Sequence, residues 1–181
     1  MWVYIALVAM WIGIIIGWLV PVIRQRISCE VYEAFGLGLC FTIPFLGFSG
    51  IGTQLDILPL RIIGFILCGP AAFFTISAFI ALKNKGKPTD HWESTTVLIN
   101  SSIFQIVRHP MYLGTAIFAI AFALLSQSLT SLILGMVSVF CCWTAARKED
   151  AFNTDKFGDS YKEYMAIVPM WNALLRKRTQ E

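Results

Sequence analysis

Residues 2–23 carry no charged side chain. That length is enough to cross the hydrocarbon core of a bilayer, which takes about 20 apolar residues as a helix. No backbone polar group can be left to lipid, so such a run is read as helical. Pro21 marks its end, and Arg24 and Arg26 follow. No Lys or Arg precedes the run and no small-residue cleavage site closes it, so we read a first transmembrane helix rather than a signal peptide. Four more apolar runs follow, at roughly 34–51, 58–82, 112–125 and 129–146. Hydrophobic residues make up 57% of the chain and charged residues 14%, where soluble domains lie nearer half and a quarter. The expected fold class is all-α: one polytopic membrane domain over residues 1–181, with about five transmembrane helices.

The connections alternate in charge. Arg24 and Arg26 lie in the first, Lys83, Lys85, Lys87 and Arg108 in the third, and Arg147, Lys148, Lys156, Lys162, Arg176, Lys177 and Arg178 in the tail. The second and fourth carry no cation beyond Arg61. Positive charge favours the cytosol, which places the N-terminus outside and the C-terminus inside. The long third connection contains Val97, Leu98, Ile99, Ile103, Phe104, Ile106 and Val107, an apolar set expected to pack on the membrane face of the protein. Phe157, Tyr161, Tyr164, Met165 and Val168 recur at helical spacing and predict an amphipathic helix in the tail, with Asp159 as its N-cap. No basic run interleaved with aromatics points to nucleic acid. The five cysteines have no metal-binding spacing and read as small buried hydrophobes.

Ser126-Gln127-Ser128 joins the last two runs into a tight hairpin. His109 and Glu149 then lie roughly 27 and 33 Å from its tip, at 1.5 Å per residue, so both reach the cytosolic interface. Pro110 suits the first turn of the fourth helix, whose partial positive end would face an anionic group. The fifth helix is expected to end near Glu149-Asp150, where its partial negative end suits a cation. A positively charged zwitterion such as S-adenosylmethionine would meet both ends. Successive helical positions diverge by about 100°, so only one of the two carboxylates should face a ligand.

Ser102-Ile103-Phe104, Arg108-His109-Pro110-Met111-Tyr112, Glu149-Asp150, Phe157-Gly158, Tyr161, Tyr164 and Val168-Pro169 together resemble the isoprenylcysteine carboxyl methyltransferase and phospholipid methyltransferase family over residues 98–169. That pattern is Gly-x-Tyr, Arg-His-Pro-x-Tyr, a Glu pair, Phe-Gly and spaced tyrosines ending near Val-Pro. Ser102 stands in place of Gly, Phe104 of Tyr, Asp150 of the second Glu, and Met170 of an Arg.

The resemblance implies an S-adenosylmethionine-dependent methyltransferase embedded in the membrane, with its site at the cytosolic face. It implies that Leu98, Ser102, Phe104, His109, Pro110, Tyr112, Glu149 and Tyr161 line the cofactor, and that Arg108 and Glu149 orient the reactants. The implied acceptor is lipophilic and enters from the bilayer, first of all the carboxylate of a prenylcysteine-like molecule. A phospholipid amine or a small lipophilic thiol or phenol is the alternative. A nicotinamide-dependent sterol-reductase-like enzyme and a non-catalytic membrane scaffold are the readings from other classes. Glu149→Gln is expected to impair transfer more than Asp150→Asn.

Overall fold

The computed structural model describes residues 2–19, 28–50, 54–85 and 97–172. Helix α1 (Trp2–Ile14) runs into a π-helical turn (Ile15–Leu19). Helices α2 (Ser28–Phe48), α3 (Leu58–Lys85), α4 (Pro110–Ser126), α5 (Leu129–Phe157) and α6 (Asp159–Ile167) follow, with a 3₁₀ turn (Ser102–Gln105) before α4. Among the described residues there is no strand, only an isolated antiparallel bridge between Gln54 and Ser128. The chain is an all-α membrane protein: α2, α3 and α5 are long and apolar enough to cross a bilayer, and Trp2–Gly17 and Pro110–Ser126 are shorter apolar helices.

The core is built from small residues. Ala71, Ala78, Ala116, Ala119, Ala121, Ala145 and Ala146 are buried, whereas Phe65, Phe73 and Phe140 are 57–69% exposed. That inversion belongs to a bundle in lipid, where close backbone approach, not exclusion of large apolar groups from solvent, holds helices together. Helix α4 is central and packs on α3, α5 and α2; α2 also packs along α5, and α1 lies on α2. Where α3 meets α4, a Cβ at Gly114 would collide with Thr75 Oγ1. Where α2 meets α5, Ser138 Oγ donates to the Gly36 carbonyl at 2.6 Å.

The hairpin tip is tied down. Gln127 adopts the left-handed region (φ 48°) as the C-cap of α4. Its side-chain amide pairs with the Ile57 backbone, accepting from the Ile57 N–H at 2.8 Å and donating to its carbonyl at 2.9 Å. Ser128 then caps α5 by accepting from the Ser131 N–H.

Three boundaries differ from the sequence expectation. Helix α2 begins at Ser28, so Glu30 and Glu33 lie within it rather than in the preceding connection. Helix α5 continues to Phe157 instead of ending near Ala146. At about 1.5 Å per residue its 29 residues span ~44 Å, against a hydrocarbon core of ~30 Å, so its last turns leave the membrane still helical. Glu149 and Asp150 are therefore not at a helix end, and the partial negative charge expected there lies two turns further on. The N-cap of α6 is Gly158, with Asp159 as its first residue. Gly158 has φ 61° and ψ −134°, a backbone region open to glycine alone, and it turns the chain from α5 into α6. Arg24, Arg26, Lys87, Arg176, Lys177 and Arg178, and with them part of the charge argument for orientation, lie outside the described residues.

Candidate functional site

The segment after α6 returns to the start of α4. The Arg108 N–H donates to the Pro169 carbonyl at 3.0 Å and the His109 N–H to the Met170 carbonyl at 3.4 Å. Pro110 occupies the first turn of α4, where a missing N–H costs nothing. His109 is the N-cap, yet its side chain makes no capping bond. The ring instead reaches α5.

There it meets two carboxylates. His109 Nε2 lies 2.7 Å from Asp150 Oδ1 and Nδ1 lies 3.4 Å from Glu149 Oε2. Only the imidazolium donates from both nitrogens. Burial opposes that charge, but the field of Glu149 and the hydrogen bonds that the ring donates to Asp150 and Glu149 outweigh it, and the His109 pKa rises from 6.5 to about 9. Asp150 also binds Arg108 through two bonds, from Nε at 3.2 Å and Nη2 at 2.8 Å, and accepts from the Tyr161 hydroxyl at 2.7 Å. Burial acts against the Asp150 charge; the bonds from His109 and Arg108 prevail and hold its carboxyl well below the usual range. Arg108 donates through Nη1 to the Met165 and Val168 carbonyls. Tyr161 is buried, and that burial together with the Asp150 charge pushes its hydroxyl well above the usual range, so it acts as a donor.

Arg108, His109 and Asp150 thus form a buried ionic knot that locks the start of α4 to α5, α6 and the segment just after α6. Glu149, one position before Asp150, turns elsewhere. Its side chain keeps 34% exposure against 11% for Asp150, and it lines a cavity of about 300 Å³. Asp150 borders a separate hollow on another face of α5, with Trp143, Arg147, Thr154 and Met170.

The cavity gathers most of the residues picked out in the sequence. Leu98, Phe104, Arg108, His109, Pro110, Tyr112, Glu149 and Tyr161 line it, together with Leu82, Met111, Phe157 and Tyr164. Ser102 does not. It sits in the 3₁₀ turn at φ 59°, and its Oγ accepts from Lys85 Nζ at 2.9 Å. The turn is held from below by Ile103, which packs on Ala78 and Ala81 of α3, and from the side by Tyr164, whose hydroxyl donates to the Phe104 carbonyl at 2.6 Å. Phe104 faces the cavity as a hydrocarbon ring, without the hydroxyl of the family pattern. Arg108 touches the lining, but its guanidinium is committed to Asp150 and to carbonyls.

Sequence reasoning missed the contribution of α2. Cys29, Glu30 and Glu33 line the cavity, and Glu33 Oε2 accepts from the Tyr112 hydroxyl at 3.2 Å. Tyr112 in turn stacks on His109, with ring centroids 5.6 Å apart. The available signal was a pair of carboxylates three residues apart beside a membrane-spanning run, where acidic groups are costly and tend to serve a site. Asn153, Phe152 and Lys156, on the turns of α5 beyond the membrane, complete the lining. Among the described residues no group of His, Cys, Asp and Glu is arranged to hold a metal ion.

A family model for phospholipid methyltransferases matches residues 60–160, more than half of the chain. No curated protein and no solved structure matches it.

Proposed function

The chain belongs to the phospholipid methyltransferase family and is a membrane methyltransferase, and from that premise we propose that the cavity binds S-adenosylmethionine and serves a lipid-borne acceptor, best an amine. The observation that carries this reading is the lining of the cavity. Three carboxylates, from Glu30, Glu33 and Glu149, share one space with Leu82, Val97, Phe104 and Phe157. The acidic groups suit an ammonium and a sulfonium, the Asn153 amide and the tyrosines suit hydroxyls, and the apolar walls suit a purine and the shoulders of a lipid.

S-adenosylmethionine supplies, when bound, a methyl group on a positively charged sulfur. The protein's part is to hold the acceptor in line with that methyl, exclude water and manage one proton. An amine acceptor must lose a proton before it can attack. His109 cannot take that proton at neutral pH, because with its pKa raised to about 9 it is already protonated. Glu149 is the carboxylate held against His109 and turned to the cavity, and we assign it the role of base. Arg108 and Asp150 are positioning residues, which fix the His109 ring against Glu149.

A second reading keeps the carboxylate of a prenylcysteine-like molecule as acceptor, and Lys156 on the lining favours it. It ranks lower because the other cations of the cavity wall, Arg108 and the protonated His109, are bound to Asp150 and Glu149. We also propose that the site faces the cytosol with the N-terminus outside. Lys83, Lys85, Arg108, Arg147, Lys148 and Lys156 gather at the end of the bundle formed by the C-termini of α3 and α5 and the N-terminus of α4.

Equilibrium binding in detergent tests the cofactor. S-adenosylmethionine should bind and NADPH should not, and His109→Ala should weaken binding at least tenfold. Binding of NADPH instead would make the chain a reductase, and binding of neither would make it a scaffold.

A further inference from the structure

We propose that Glu30 and Glu33 are specificity-determining residues of this site. They select an acceptor with a positively charged head over one with a negatively charged head. The inference rests on the methyl-transfer reading above and assigns its acceptor choice to helix α2, which lies outside the matched residues 60–160.

Three observations support it. First, both residues line the cavity that Glu149, His109 and Tyr112 also line, so they belong to the same space as the reacting groups. Cys29, on the same first turns of α2, lines that cavity too. Second, Glu33 is connected to the centre of the site. It accepts from the Tyr112 hydroxyl at 3.2 Å, and Tyr112 stacks on His109. Third, the two residues are spaced i, i+3 on the first turns of α2, so they stand on one face, one turn apart. The partial positive end of a helix is a favourable place for carboxylates.

The physical consequence follows from charge. Two carboxylates beside a partly dehydrated space attract an ammonium head and repel a carboxylate head, and the effect is larger there than in water. The match to the family, and the residues implied by its pattern, begin after α2. Residues that serve the cofactor and residues that choose the acceptor would thus come from different parts of the chain.

The test uses the full-length protein in lipid nanodiscs with labelled S-adenosylmethionine. Two acceptors are compared, phosphatidylethanolamine and a prenylcysteine, for wild type, Glu30→Gln, Glu33→Gln and the double variant. The ratio of kcat/KM for the amine over the carboxylate should exceed one in wild type and fall about tenfold or more in the double variant. Both acceptors are assayed at the same saturating S-adenosylmethionine, so any change in cofactor affinity cancels in the ratio. An unchanged ratio overturns the inference and leaves the methyltransferase reading standing, as does a loss confined to cofactor affinity. A wild type that prefers the prenylcysteine overturns the amine reading itself. Should the double variant lose its cooperative thermal transition, the single Glu30→Gln decides, with a fall of at least threefold in the ratio required.

Discussion

Ser102 holds a backbone conformation (φ 59°) that an L side chain adopts at a cost of about 1–2 kcal/mol. The family pattern has glycine there, and the turn geometry explains why. Replacing Ser by Gly elsewhere destabilises through unfolded-state entropy by roughly 0.5–1 kcal/mol. Here relief of strain opposes that loss. Ser102→Gly should be neutral or raise stability by up to about 1 kcal/mol, read from the thermal midpoint; a clear loss would mean that the Lys85 contact outweighs the strain. At Asp150 the stakes are larger. Removing one member of a buried ion pair costs about 3–5 kcal/mol, because its partner is left unsatisfied. Asp150→Asn should therefore lower the thermal midpoint by several degrees at least, whereas Glu149→Gln should lower turnover with a much smaller effect on stability. Equal destabilisation by both would refute the division of labour between them. The His109 charge adds a pH dependence. Its folded-state pKa of about 9 lies above the ordinary 6.5, so its stabilisation is complete below pH 6.5 and drains away as the pH rises through 9. The midpoint of wild type should fall over that window, and His109→Gln should show a flatter profile.

At the scale of helices, Gly158 is the joint between α5 and α6. Nothing lies within 4 Å of a Cβ built there, so the cost of a side chain is purely conformational. Gly158→Ala should destabilise by about 1–3 kcal/mol, and a variant as stable as wild type would show that the joint can reshape. The Phe157-Gly158 pair was readable as a motif, but its function as a joint was not, because α5 was expected to stop eleven residues earlier. Hydropathy reports where a membrane ends, and a helix need not end there. From Arg147 to Phe157 the sequence is rich in charge, helix-compatible and free of proline, so α5 continues into water. The same limit hid the first turns of α2, whose carboxylates looked like a loop between two spans. Arg-His-Pro was legible as a helix start because Pro110 and the end of a polar connection coincide. The partner of Arg108 was not legible. Asp150 and Glu149 are neighbours in sequence, and only the direction of α5 relative to α4 decides which carboxylate meets the guanidinium and which meets the cavity.

The bundle brings the first turns of α2, the N-terminus of α4 and the last turns of α5 together at one end. The small-residue contacts at Gly36, Gly114 and Ser138 draw α2, α3, α4 and α5 together, and Gln127 fixes the far tip of the hairpin to the start of α3. With the far end clamped, the near end is where polar groups from α2, α4, α5 and α6 converge. The helix number and the class of the protein follow from hydrophobic run lengths. The contribution of α2 to the site follows from packing that no local pattern encodes. The central claim is that this convergence is a methyl-transfer site in which Glu149 acts on the acceptor. Its most direct measurement is transfer of a labelled methyl group from S-adenosylmethionine into the lipid fraction of nanodiscs carrying wild type or Glu149→Gln. The account predicts lipid-linked label with wild type, and at least a tenfold lower rate with Glu149→Gln at saturating cofactor. No label with folded wild type, or an unchanged rate with the variant, would contradict it.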